Sequence, residues 1–239
     1  MYPAGRAVLL LAVCAPELAG RRLVIEGHRV QVVRFGKLAL VLSFVDQAAY
    51  APEEIERKRS DAAWIAAEAR LLEQAVERAR ASVAVLPMRL LTVFPHSAAL
   101  EQSAREQSAR WSRALTRLGS KRECVVHLYA GPHARPGGEP YLIRVSLRSS
   151  KSARVPAFKA DAAVAAHAQK LWNACAGIAT ATRRIATGAR RGALWTAALL
   201  IDERDLPALS AIVEGAAEAG APLGLCAYLE MPRAAFTFV

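Results

Sequence analysis

The segment from Asp61 to Phe94, DAAWIAAEARLLEQAVERARASVAVLPMRLLTVF, constrains this chain more than any other. Its first part has a helical period. Trp64, Ile65, Leu71, Leu72, Ala75 and Val76 fall on one stripe, and Arg70, Glu73, Glu77 and Arg78 fall on the other side. From Val83 to Phe94 that period is lost, and an apolar, β-branched run takes over, with Pro87 as its expected break. Acids, histidines and cysteines are not gathered here in any arrangement that could do chemistry. The pattern is that of a packing helix followed by an extended stretch, and it points away from an enzyme.

Length and composition bound the rest. The 239 residues suffice for one large or two small domains, and a 54% hydrophobic content supports a sizeable core. Four cysteines, at 14, 124, 175 and 226, are too widely spread for a metal knuckle. They read as small buried apolar residues of a reducing cytosol. No apolar run reaches the roughly 20 residues that cross a bilayer. The run Ala7–Ala15 after Arg6 has the look of a short signal peptide, with Leu11-Ala12-Val13-Cys14 suggesting an acylation site. Val13 is large for the residue before such a cysteine and a single Arg is a thin basic region, so a buried first strand is the preferred reading.

Net charge is +11 and the isoelectric point about 10.1. A basic chain is drawn to acidic partners, nucleic acid and anionic surfaces. The local maximum is Arg183, Arg184, Arg190 and Arg191, around Gly188. These arginines read either as a solvated face or as a docking patch for an acidic protein.

Along the chain, strands are expected at Ala7–Ala15, His28–Phe35 and Leu38–Val45, the last two joined as an antiparallel hairpin by Gly36-Lys37. Pro52 with Glu53-Glu54 suits a helix start, and Ser60-Asp61 can cap the long helix that follows. A second amphipathic helix, Ser97 to Leu118, carries Leu100, Ala104, Trp111, Leu115 and Leu118 on one stripe and stops at Gly119. A domain boundary falls there. Beyond it come a strand over Glu123–Tyr129, a polar loop with Gly131-Pro132 and Pro136-Gly137-Gly138, and an alanine-rich helix from Pro156 to Ile185. Gly188 and Gly192 bracket a loop before a strand over Leu194–Ile201. Asp202 can then cap a helix over Glu203–Ala219, which Gly220 ends before a last strand over Leu223–Leu229 and an extended tail. The order suits an antiparallel sheet covered by helices on one face.

Motifs for catalysis are missing. Glu53-Glu54 and Asp202-Glu203 sit at helix starts, where the helix dipole accounts for them. The histidines, at 28, 96, 127, 133 and 167, are never three or four residues apart, and His167 is expected on an exposed helix face. There is no nucleophile elbow and no glycine-rich phosphate loop. Cys124 sits in an apolar strand, where low reactivity is expected. Aromatics make up only 6%, without the basic–aromatic interleaving of an RNA-binding sheet, so nucleic acid is not the expected partner. No cofactor, metal or catalytic residue is expected. The aromatics Phe236 and Phe238 read as an intramolecular strap or as anchors for a partner chain.

Several ordered marks carry a family resemblance. Ala63-Trp64, Glu77-Arg78-Ala79, Val85-Leu86-Pro87-Met88-Arg89 and Thr92-Val93-Phe94 resemble the gas vesicle protein GvpL/GvpF family. So do Tyr2, Gly27-His28-Arg29-Val30 before Gly36-Lys37-Leu38-Ala39-Leu40-Val41-Leu42-Ser43, Pro140-Tyr141-Leu142-Ile143-Arg144, Leu194–Ile201 and the ending Ala235-Phe236-Thr237-Phe238. Glu123-Cys124-Val125-Val126-His127 has Cys124 and His127 where the family pattern has an aromatic and a longer base, and the basic balance is a second departure.

The resemblance implies an α+β chain with a mixed N-terminal domain (residues 1–118) and a modified ferredoxin-like C-terminal domain with a helical extension (residues 119–229). A tail (residues 230–239) would pack at the domain junction. It implies a helix at Tyr141–Leu147, although the β-branched residues there favour a strand. It also implies a non-enzymatic, cytoplasmic accessory protein that contacts the hydrophobic shell protein and other accessory proteins of the gas vesicle and supports vesicle formation, with no membrane association. Two other readings stand beside it: a basic adaptor binding an acidic protein or RNA outside gas vesicles, and an exported lipoprotein modified at Cys14.

Overall fold

The apolar run near the start is a strand, β1 (Arg6–Cys14), and every residue in it after Arg6 is buried. The structure is a computed structural model that describes residues 5–25, 27–130, 162–185, 193–230 and 234–238. These group into two compact units, one running to Gly119 and including Ala234–Thr237, the other beginning at Ser120.

In the first unit β1 shares a sheet with β2 (Arg22–Ile25), β3 (His28–Phe35), β4 (Leu38–Asp46), β5 (Val85–Pro87) and β6 (Val93–Phe94). The order is β2-β3-β4-β1-β5, with β6 also on β1, and every pairing is antiparallel. A strand with one wet face alternates apolar and polar side chains. β1 does not alternate because both its faces are covered. Ala7, Leu9 and Leu11 join the core beneath α2 (Ala62–Arg80), while Val8, Leu10 and Val13 face the other way. α3 (Ser97–Leu118) lies against β1, β5 and β6. A continuous apolar run therefore marks a doubly covered strand, and the thiol of Cys14 is shut inside it, opposite Ala39 and Val85.

The pairing of β1 with β4 slips between Leu10 and Ala12, and the extra residue, Leu11, shares the α2 side with Ala12. This bulge meets a break in the neighbouring chain. Met88 N–H donates to Leu11 O at 3.0 Å, and Leu10 N–H donates to Thr92 O at 2.9 Å, so residues between them leave the ladder. The expected break falls directly after Pro87. Pro87 is the last residue of β5, at the sheet edge where a missing N–H is harmless, and the chain turns after it, with Leu91 at φ 60°.

The helix ends follow local chemistry. Asp61 caps α2, accepting from Ala63 N–H at 2.9 Å and Trp64 N–H at 3.1 Å. Pro52 opens α1 (Pro52–Lys58), with acids in its first turn and Arg57 and Lys58 in its last. Gly119 closes α3 at φ 47°. The hairpin between β3 and β4 turns at Gly36, φ 57°, and pairs Phe35 with Leu38.

The second unit runs β7 (Lys121–Ala130), α4 (Ala162–Ile178), β8 (Ala181–Ile185), β9 (Ala193–Asp202), α5 (Leu206–Gly220) and β10 (Leu225–Leu229). Its antiparallel sheet has the order β10-β7-β9-β8. Counted within the unit, that is fourth, first, third, second, the ferredoxin-like arrangement. α4 and α5 cover one face. Leu171, Cys175, Leu209 and Val213 pack there with Val126, Leu128, Ala197 and Leu199.

Four expectations change. The alanine-rich helix stops at Ile178 rather than Ile185, and β-branched Thr182 and Ile185 extend instead into β8. Asp202 makes no cap bond. Its carboxylate accepts from the Ser120 hydroxyl at 3.1 Å, and a 3-10 turn, Glu203–Asp205, precedes α5. Gly220 is the last helical residue with ordinary φ, so its smallness serves space. A Cβ there would lie 3.0 Å from His167 Nε2 and 3.1 Å from Leu225 Cβ. His167 itself is half-buried, with a buried Nε2, rather than exposed. The expected helix over 141–147, the helix start at Pro156 and the glycines at 188 and 192 lie outside the described residues.

Candidate interaction surface

Of the four arginines singled out by the sequence, the described residues include Arg183 and Arg184. Arg183 and Arg184 are exposed on β8, an edge strand, where successive side chains point to opposite faces. Arg184 pairs in register with Ala197 on the helix-covered face, and its guanidinium lies 4.6 Å from the centre of the Trp172 ring on α4. Arg183 pairs with Ala198, on the other face. Arg190 and Arg191 lie outside the described residues.

The tail is packed more than it is offered. Ala234 and Ala235 are buried, and Phe236 packs on the core beneath α2. Ala234 N–H donates to Glu77 Oε1 at 3.0 Å, and Arg80 pairs with the other oxygen of that carboxylate. Phe236–Phe238 form a 3-10 turn within the expected extended tail, and Phe238 is half-buried and groups with the second unit.

A polar network that the sequence reading missed lies on the β7–β9 sheet. His127 is buried. Its Nδ1 lies 2.9 Å from Thr196 Oγ1 and its Nε2 2.8 Å from Glu230 Oε1. In the neutral tautomer that satisfies both partners, Nε2–H donates to the carboxylate and Nδ1 accepts from the hydroxyl. Tyr129 stacks on the imidazole at 5.8 Å. Both ring nitrogens are engaged within the fold, so the imidazole has no free nitrogen to turn toward a substrate. It joins β7, β9 and the residue after β10.

A buried acid, Glu68, sits on α2. Tyr50 O–H donates to Glu68 Oε1 at 2.5 Å. Burial, then this bond, raises the Tyr50 hydroxyl well above its usual range. Burial likewise pushes the Cys14 thiol up to about 12, with Glu17 adding to it, and the Cys175 thiol up to about 11. Neither thiol is poised to react at neutral pH. Among the described residues no three His, Cys, Asp or Glu gather as metal ligands, and no helix is long and apolar enough to cross a membrane.

Fold and surface define a two-unit α+β protein whose second sheet is ferredoxin-like and whose buried His127 is engaged by Thr196 and Glu230. The chain belongs to the GvpL/GvpF family: the family described as gas vesicle synthesis protein GvpL/GvpF matches residues 8–239. Its role therefore lies with gas vesicles. The fold is similar to the crystal structure of the gas vesicle protein GvpF from Anabaena sp. PCC7120, at TM-score 0.65 and 16% identity, over 98% of this chain and 95% of that one. It is similar as well to GvpF from Microcystis aeruginosa, at TM-score 0.62 and 15% identity, over 97% and 98%. No curated protein matches the sequence significantly.

Proposed function

We propose that this chain is a non-enzymatic accessory protein of the gas vesicle that binds the hydrophobic shell protein and supports its addition to the growing wall, within the cytoplasm. The observation that carries this reading is a family match spanning residues 8–239, joined to a GvpF-like fold over almost the whole chain. The physical task would be to shield aggregation-prone apolar surface until ordered stacking occurs. Arg183, Arg184, Arg190 and Arg191, with Phe236 and Phe238, are the proposed partner contacts, the exposed Arg183 and Arg184 ahead of the packed Phe236. Deleting the gene in a vesicle-forming host should lower vesicle yield, and the tagged chain should retain co-expressed shell protein. Undiminished yield together with no retention rejects the reading.

The net charge of +11 favours a second reading, a basic adaptor for an acidic protein or RNA. Salt separates the two. Binding through many ionic contacts collapses steeply as salt rises, whereas an apolar interface weakens little.

A further inference from the structure

The two edges of the second sheet are guarded differently. β8 carries exposed Arg183 and Arg184, and charge on an edge strand discourages another chain from adding to it. β10, Leu225–Leu229, has neither charge nor proline, and Tyr228 on it is 41% exposed. Among the described residues β10 pairs only with β7. Beside it, between β10 and α5, runs an open groove of about 520 Å³. Leu206, Val213 and Leu229 give it an apolar floor, and Glu214, Tyr228 and Glu230 stand at its rim. Among the described residues its charged lining is acidic, Glu214 and Glu230, on a chain with 32 Lys and Arg against 21 Asp and Glu.

We propose that this edge receives an extended polypeptide segment of alternating apolar and cationic side chains, added to the sheet as a strand beside β10. On β10, Ala227 and Leu229 belong to the helix-covered face, while Tyr228 and Glu230 lie toward His127 on the other. An added strand has the same alternation. Its apolar side chains enter the groove over Leu206 and Val213, and its cations lie along the face of Glu230. Glu214, exposed at the mouth of the groove, attracts a further cation. Main-chain hydrogen bonds supply affinity, and the alternating pockets supply specificity. The proposal does not depend on the shell protein being the partner.

The test uses the full chain and three fluorescein-labelled peptides: alternating Val and Lys, the same peptide with alternate backbone amides methylated, and alternating Val and Glu. Fluorescence anisotropy should show the Val/Lys peptide binding best, although overall charge favours the Val/Glu one. Methylation should abolish binding, and Glu214→Lys, a surface change that leaves the fold intact, should weaken it about tenfold. Three results overturn the proposal: no binding of the Val/Lys peptide, preference for Val/Glu, or methylated peptide bound as well as unmethylated. A fourth is sedimentation showing that the chain self-associates and that the Val/Lys peptide dissolves the dimer, which would make a second copy the occupant.

Discussion

The two sheets solve the same problem differently. In the first, β1 is apolar on both faces, and its buried core is assembled from Leu, Val, Ile, Ala and Cys. In the second, one face of β7 and β9 packs under α4 and α5 with similar residues, while the other carries Glu123, His127, Tyr129 and Thr196, all buried. Apolar packing tolerates modest changes of shape. A buried polar set holds only if each member keeps its partners, because an orphaned group costs its full desolvation. The first sheet should therefore respond to lost volume, and the second to lost hydrogen bonds.

The largest effect should come from volume in the first sheet. Leu9→Ala should lower stability by about 2–5 kcal/mol, read from urea unfolding. His127→Ala should cost about 2–4 kcal/mol by removing the hydrogen-bond partner that Thr196 and Glu230 share. Near-neutrality at His127 would break the comparison, since it would show the second sheet held by apolar contacts as well. Gly220→Ala, on the helix side of the second sheet, should cost about 1–3 kcal/mol by forcing His167 and Leu225 apart.

The thiols give a pH-dependent check. Cys14 rises from 9.0 to about 12 on folding and Cys175 from 9.0 to about 11. Between these values the unfolded chain has lost protons that the folded chain keeps. Stability is thus fully present below about pH 9 and falls as pH climbs through the folded values. Unfolding midpoints measured from pH 8 to pH 11 should decline, and less so in Cys14→Ala. The smallest effect should be Arg184→Ala, at about 0.5–1 kcal/mol, for the lost contact with Trp172.

How much was legible follows from sequence separation. The hairpin at Gly36-Lys37, the Asp61 cap and the stripes of α2 and α3 are written in neighbouring residues, and the structure has all of them. The ferredoxin-like order came through the resemblance. The His127 network was not legible, because its partners stand 69 and 103 residues away and single polar residues in apolar strands carry no local mark of pairing. That Arg183 and Arg184 face opposite ways was not legible, because the residues around them read as helix, whereas the strand they form divides neighbours between two faces. Glu68 was overlooked among the apolar positions of α2, since only Tyr50, 18 residues earlier, explains an acid there.

The bond from Ala234 to Glu77 spans 157 residues. A ribosome has to emit the entire second unit before the backbone that seats against α2 exists at all. During that interval the surface destined for Ala234 and Phe236 stands bare, and a nascent chain is then most in need of a chaperone.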